Sequence, residues 1–259
     1  MVVYSYSRLE TFEKCNLKFK FRYIDKIIPE VPKNIEAHLG TIVHETLEWL
    51  YTKAIEGIAP SLDDVIIHYS ERWVEEYASE TLIVNKFMTE KDYFNKGVNF
   101  LIDYYFKHQP FKDNTIAIEK KIEVILDELG EKKLVGFIDR LVHNVERNEL
   151  EIHDYKTANT LPTIEELEQN RQLALYSLAI KEEFGKSKNI SLVWHYLAHN
   201  QNICIKKTDE QLESLKKEVI ELINQIEKTT HFPATKSRLC AWCEYKATCD
   251  AWSGQRKLF

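Results

Sequence analysis

The chain reads as an α/β protein in which a helical N-terminal half precedes a strand-rich centre, and two features of its patterning predict this. Residues 115–126, 133–145 and 149–157 are three successive strand-like runs separated by short polar turns, the pattern of an antiparallel meander. Flanking them, residues 41–56, 62–78 and 90–107 on one side and 163–185 and 209–228 on the other carry helical periodicity. Two shorter strands, 190–198 and 201–207, lie between the last two helices, and a cysteine-rich tail ends the chain. This organisation suggests one domain over 1–259, with a mainly helical lobe at 1–110, a sheet-bearing core at 111–208, and a helix and tail at 209–259.

Each element has a local reason. Ser7 followed three residues later by Glu10 reads as a capping box, opening a helix through Leu9, Phe12, Cys15 and Phe19. The run Lys18-Phe19-Lys20-Phe21-Arg22-Tyr23 also alternates with period two, so its type stays open, and its basic and aromatic residues suit single-stranded nucleic acid as well as a solvated helix face. Gly40 reads as a helix start, placing His44 about one turn in, with Leu47, Glu48 and Tyr51 on the same face. Gly185 ends the 163–185 helix.

Composition narrows the function. Seven glycines and six prolines in 259 residues exclude collagen-like and loop-dominated sequences. No apolar run is long enough for a membrane span. The first residues lack a basic head and apolar core, so no secretory signal is expected. Five cysteines, an odd number, suit a reducing cytoplasm better than a disulfide framework. A net charge of −6 argues against a passive nucleic-acid coat but leaves room for a local basic groove. No G-x-x-x-x-G-K-[ST] motif is present, so no Walker-type ATPase is visible.

The chemistry concentrates in Gly136-Phe137-Ile138-Asp139-Arg140 and Asp154-Tyr155-Lys156-Thr157. Residues two apart on a strand share a face, so Asp154 and Lys156 point one way and Tyr155 the other. A hairpin centred between Glu146 and Arg147 puts Asp139 opposite Asp154; an odd-length loop without a bulge would break that alignment. Two carboxylates beside a lysine are what metal-assisted phosphodiester cleavage needs, since the acids hold a cation and the ammonium supports the attacking water or the phosphate. Taken alone, the same pair also fits an ordinary charged strand face. Arg140 points to the opposite face and reads as a structural ion-pair partner. Gln172 and Tyr176 are four apart and share a helix face, which amphipathic packing alone also explains.

Cys240, Cys243 and Cys249 form C-x2-C-x5-C, one ligand short of a four-thiolate site. Cys15 is the candidate fourth, because Cys204 sits in a short strand and reads as apolar filler. A tetrahedral zinc and an iron–sulfur cluster both fit this spacing. Either would tie the two ends of the chain together, a closure worth on the order of 5 kcal/mol as a simple cross-link.

These residues together resemble the RecB-like branch of the PD-(D/E)XK nuclease superfamily, in particular members with a cysteine-bound iron–sulfur cluster, such as CRISPR-associated RecB-like exonucleases and the nuclease domain of AddB-type helicase–nucleases. Gly40…His44, Gly136…Asp139-Arg140, Asp154-Tyr155-Lys156, Gln172…Tyr176, and Cys15 with Cys240, Cys243 and Cys249 occur in the family's order and span nearly the whole chain. The resemblance implies a restriction-endonuclease-like core, a mixed sheet flanked by helices, and a metal-dependent DNA exonuclease of DNA repair, recombination or CRISPR-related processing. It implies that His44, Asp139, Asp154 and the Tyr155 carbonyl bind Mg²⁺ or Mn²⁺, that Lys156 is catalytic, and that Gln172 and Tyr176 position the substrate strand. Glu119 would be an auxiliary acid, and the four cysteines would hold a [4Fe–4S] cluster, with structural Zn²⁺ as the alternative. Two departures stand out. Ile138 occupies the place of the superfamily's proline, as the G-x-x-D variant permits, and Asn16 follows Cys15 where many relatives have proline. A non-cleaving DNA-binding or scaffold subunit is the rival reading. A catalytic subunit that needs a helicase or CRISPR adaptation partner is a third.

Overall fold

In a computed structural model, residues 3–29, 33–127, 129–185 and 188–253 are described; the last six residues of the expected tail segment lie outside them. Strand β1 (Val3–Tyr4) leads into helix α1 (Tyr6–Lys14), α2 (Asn16–Phe19) and a π-helical turn (Lys20–Ile24). The cap of α1 is Ser5, whose hydroxyl accepts the Arg8 amide at 3.2 Å, and the expected Ser7–Glu10 box lies inside the helix instead. The helix does not run through to Phe19. Cys15 is extended (φ −163°, ψ 109°), which breaks the chain into two helices and turns the sulfur toward the C-terminal segment, where the Thr235 amide donates to it at 3.5 Å.

Helices α3 (Ile35–Ile55), α4 (Leu62–Glu76) and α5 (Glu90–His108) follow, capped by Asn34, Ser61 and Thr89. Helix α3 starts six residues earlier than Gly40 suggested, because the Asn34 side chain accepts the Ala37 amide at 2.7 Å and sets the true start. Gly40 is therefore mid-helix, and a Cβ there would lie 3.3 Å from Thr157 Oγ1, so its role is close approach to the sheet.

The sheet strands are β2 (Thr115–Ile125), β3 (Lys133–Asn144), β4 (Glu149–Lys156), β5 (Asn189–Tyr196) and β6 (Gln201–Lys206). Between β4 and β5 the chain forms α6 (Ile164–Glu168) and α7 (Gln172–Phe184), not one continuous helix. Asn170 accepts the Gln172 amide through its side chain at 3.0 Å, competing with the helical backbone bond at the break. After β5 a 3-10 turn (Leu197–His199) replaces the end of the expected strand. Helix α8 (Asp209–Lys228) fills its expected range, and α9 (Asp250–Ser253) follows the cysteine segment.

The sheet is six-stranded and mixed. It runs β1-β3-β4-β5-β6, with β2 also on β3; the β1–β3 and β4–β5 pairs are parallel and the others antiparallel. Strand β1 was illegible in sequence, since two residues carry no periodicity; it pairs beside Lys133 and Leu134 on β3. One apolar cluster joins α1, α7 and α8, through Leu9, Phe12, Leu173 and Ile223, to Ile138, Leu141 and Ile152. A second packs Leu47, Leu50, Tyr69 and Trp73 of the α3–α5 group with Tyr155 and Leu197. A Leu→Ala change at Leu47 or Leu50, each 1% exposed, would cost about 2–5 kcal/mol.

Candidate active site

The β3–β4 hairpin pairs Arg140 with His153 and Asn144 with Glu149, a register centred between Glu146 and Arg147. One further step places Asp139 opposite Asp154, as the even loop requires. The ladder stops before that step. The Asp139 carboxylate occupies the gap and accepts the Tyr155 amide through Oδ2 at 2.9 Å, so a side chain takes the place of a ladder bond. The inward alternation of β3 also shifts here: Leu134 and Ile138 belong to the same cluster as Leu141, and Arg140 turns to the other side. Opposite this shift Glu119 of β2 has φ 44°, a left-handed conformation costly for a residue with a Cβ.

His44 reaches the gap from α3. Its Nε2 lies 2.8 Å from the Tyr155 carbonyl and its Nδ1 lies 3.4 Å from Asp139 Oδ2. If the neutral ring donates through Nε2, Nδ1 meets the carboxylate lone pair to lone pair, which is unfavourable unless a proton or cation lies between them. Asp154 is 3% exposed, and its Oδ2 is ion-paired with Lys156 Nζ at 2.7 Å. Lys156 Nζ also touches Gln172 Oε1 at 3.3 Å. Tyr176, one turn along α7, lies flat against Gly136: a Cβ there would be 2.4 Å from the phenol ring, so only glycine admits it.

The electrostatics follow from burial of like charges. Burial and the Asp154 carboxylate push Asp139 up to about 6, against the opposing pull of His44, the Tyr155 amide and Lys156. Glu119 is pushed up to about 7 by burial, then by Asp139 and Glu48. Desolvation pulls Lys156 down, but the Asp154 carboxylate outweighs it and holds the ammonium above its usual range. Burial likewise raises the Tyr176 phenol.

The structure thus brings His44, Asp139, Asp154, the Tyr155 carbonyl, Lys156, Gln172, Tyr176 and Glu119 to one end of the β3–β4 pair. It adds Glu48, one turn beyond His44, which lines a small pocket with His44, Glu119 and Asp139. That residue was visible as a same-face neighbour of His44, although nothing in the pattern gave it a task. Two carboxylates, a carbonyl and an imidazole are a donor set suited to Mg²⁺ or Mn²⁺.

Cys15, Cys240, Cys243 and Cys249 line a single cavity at the C-terminal end of α1, whereas Cys204, expected as buried apolar filler, is exposed on β6 and lies apart from them, because that strand presents this residue to its outer face. The Ser237 amide donates to Cys240 Sγ at 3.4 Å, as Thr235 does to Cys15, and burial raises the Cys243 thiol. Four sulfurs with backbone N–H donors around an apolar cavity fit a thiolate-bound centre in kind. Among the described residues, however, no group of three or more His, Cys, Asp or Glu side chains is drawn close enough to form a ready-made metal site, here or at the β3–β4 gap. Among the same residues no helix is long and apolar enough to cross a membrane.

A crystal structure of a candidate exonuclease from Eubacterium rectale is similar to this chain with a TM-score of 0.53 at 13% identity, covering 98% of this chain and 88% of that one. At that identity the likeness is one of fold. The crystal structure of SSO0001 overlays with a TM-score of 0.39 at 13% identity, covering 82% of this chain and 97% of that one, too loosely to support an argument. No curated protein matches the sequence significantly. The family model of the PD-(D/E)XK nuclease superfamily matches residues 3–250, and the chain, a mixed sheet flanked by helices with its acidic hairpin splayed open, belongs to that superfamily.

Proposed function

We propose that this protein is a divalent-metal-dependent deoxyribonuclease that digests DNA from its ends. The observation that carries this reading is the gap between β3 and β4, where Asp139, the Tyr155 carbonyl and His44 meet within hydrogen-bond distances beside the buried Asp154–Lys156 ion pair. A purely structural domain gains nothing from burying Asp139 beside a second carboxylate that raises its pKa. His44, Asp139, Asp154 and the Tyr155 carbonyl would hold Mg²⁺ or Mn²⁺. When bound, that ion would supply Lewis-acid neutralisation of charge developing on the phosphate.

The chain's own groups do the rest. Lys156, kept protonated by Asp154, directs its ammonium toward the phosphate and the attacking water. Gln172 fixes the lysine head at 3.3 Å, and Tyr176, seated on Gly136, closes the wall against which the substrate strand lies. The four cysteines would hold a [4Fe–4S] cluster, or a structural Zn²⁺, joining α1 to the C-terminal segment. Freshly purified protein should then be brown, with iron near four per chain for a cubane; one zinc and no iron would reassign the centre while keeping the staple.

The decisive experiment is digestion of end-labelled linear DNA and of circular single-stranded DNA, with Mg²⁺, with Mn²⁺ and with chelator. Metal-dependent loss of the linear substrate with the circle intact is expected. Wild-type protein that leaves both intact with either metal would overturn the proposal, and cleavage of the circle would replace end-dependence with internal cutting.

A further inference from the structure

The basic-aromatic run at 18–23 divides in the fold. Its aromatic residues pack inward: Phe19 is 1% exposed, Tyr23 lies against Phe19, and Phe21 lies against Tyr245 of the cysteine segment. They are not free to stack on a ligand. Its basic residues Lys18 and Arg22 instead join Lys14 across the break at Cys15, since all three line one cleft. They form one wall of this cleft of about 310 Å³, and Trp242, 36% exposed, stands on the other.

The cleft also leads toward the active site. Its wall continues along α1 through Glu10 to Ser7. Glu13 of the same helix is ion-paired with Arg171, the neighbour of Gln172, whose Oε1 lies 3.3 Å from the ammonium of the proposed catalytic lysine.

We propose that this cleft binds single-stranded nucleic acid, the phosphates on Lys14, Lys18 and Arg22 and a base stacked on Trp242, guiding the strand to or from the β3–β4 gap. This rests on the nuclease reading of that gap. The three basic residues are paired in the free protein, Lys14 with Glu10 at 2.9 Å, and Lys18 and Arg22 with Glu244 at 2.7 and 3.9 Å. The Lys14–Glu10 pair and the long Arg22–Glu244 contact are solvent-screened and weak, so a phosphate can exchange for the carboxylate there at little cost, whereas Lys18–Glu244 is mostly buried. A flat indole and a group of cations is the pairing that sequence-tolerant strand binding requires.

The test is fluorescence anisotropy of labelled oligo-dT of twenty nucleotides, without added divalent metal, as a function of salt. Trp242→Ala should weaken binding about tenfold, and Trp242→Phe, which keeps a ring to stack on, should restore most of it. Lys14→Ala combined with Arg22→Ala should lower the slope of log affinity against log salt by about 1.4, roughly 0.7 per lost phosphate contact. Unchanged affinity in Trp242→Ala together with an unchanged slope in the double variant would overturn the cleft. Should Trp242→Ala fail to fold, Trp242→Phe and the double variant, whose two sites lie on exposed helix surface, decide alone. Trp242-dependent binding by a protein that cuts no DNA would sink the nuclease reading and leave the cleft standing.

Discussion

Asp154 and Tyr155 are adjacent on β4, as Asp139 and Arg140 are on β3, yet the polar groups around Tyr155 and Arg140 and those around Asp154 and Asp139 meet opposite fates. On the α3–α5 side, Arg140 is 1% exposed, donates to the Tyr155 hydroxyl at 2.9 Å and to His153 Nδ1 at 3.0 Å, pairs with Asp113, and lies 4.0 Å over the Tyr51 ring. His153 contacts His195 and Glu151, and His195 contacts Asn202. These polar groups are closed among themselves, although the neighbouring buried His108 Nε2 has no hydrogen-bond partner among the described residues. At the open end of the β3–β4 pair, Asp154 is ion-paired with Lys156, and Asp139 is pushed up by burial and by Asp154. A charge cluster that is closely paired holds a fold together; one that crowds carboxylates beside each other gains from a cation that neutralises them.

The sharpest test of this contrast is to separate activity from stability. Asp154→Ala or Lys156→Ala should lower the rate of DNA cleavage by roughly 10²–10³-fold, the scale on which single preorganised electrostatic partners act, with a melting temperature close to wild type. Arg140→Ala should do the reverse, costing about 3–5 kcal/mol of stability because it strands Asp113 and the buried polar groups around it. Wild-type digestion by Lys156→Ala, with contaminating nuclease excluded, would remove the open face from catalysis.

Acid should distinguish the two faces as well. Burial drives His153 and His195 well below the usual histidine value of 6.5, and burial with Arg140 brings His108 down to about 4. The unfolded chain takes up these protons below 6.5 and the folded chain does not, so their stability contribution is intact above 6.5 and lost as pH falls through it, at up to about 1.4 kcal/mol per histidine per pH unit. Asp139 has the opposite sign: held up near 6, it is relieved of an unfavourable charge as pH drops through that value. Denaturant titrations from pH 7.5 to 5 should therefore show a net loss dominated by the histidines, and Asp139→Asn should steepen it. A flat profile would mean that the closed face is solvated.

Smaller effects probe individual members. His44→Ala should reduce activity and erase a preference for Mn²⁺ over Mg²⁺, since imidazole suits manganese better than the oxygen-seeking magnesium; full activity with unchanged metal preference would take His44 out of the ligand set. Cys15→Ala should cost as much bound metal and stability as Cys243→Ala. Cys204→Ala, on the exposed side of β6, should change melting by no more than a small packing loss. Metal retained in full by Cys15→Ala would separate the two ends of the chain.

What the sequence determined was whatever depends on local periodicity and parity. Three strand-like runs specified the β2–β3–β4 meander, and an even-length turn specified the pairing register from Arg140 opposite His153 to Asn144 opposite Glu149. Helix α8, with a strong apolar stripe and a Thr208–Gln211 cap, was equally plain. Packing decided the rest. Gly40 looked like a helix start and is a mid-helix contact with Thr157, and Gly136 is the seat of Tyr176. The break at Cys15 runs against helical pattern and accompanies a thiol whose partner, the Thr235 amide, is brought near only by the fold. Strand β1 exists only because β3 offers it an edge. The splay of β3 from β4, which turns two aligned acids into an open site, depends on the Asp139 carboxylate replacing a backbone acceptor. No one-dimensional pattern encodes that exchange, because its partner, the Tyr155 amide, is brought within reach only by the folded hairpin.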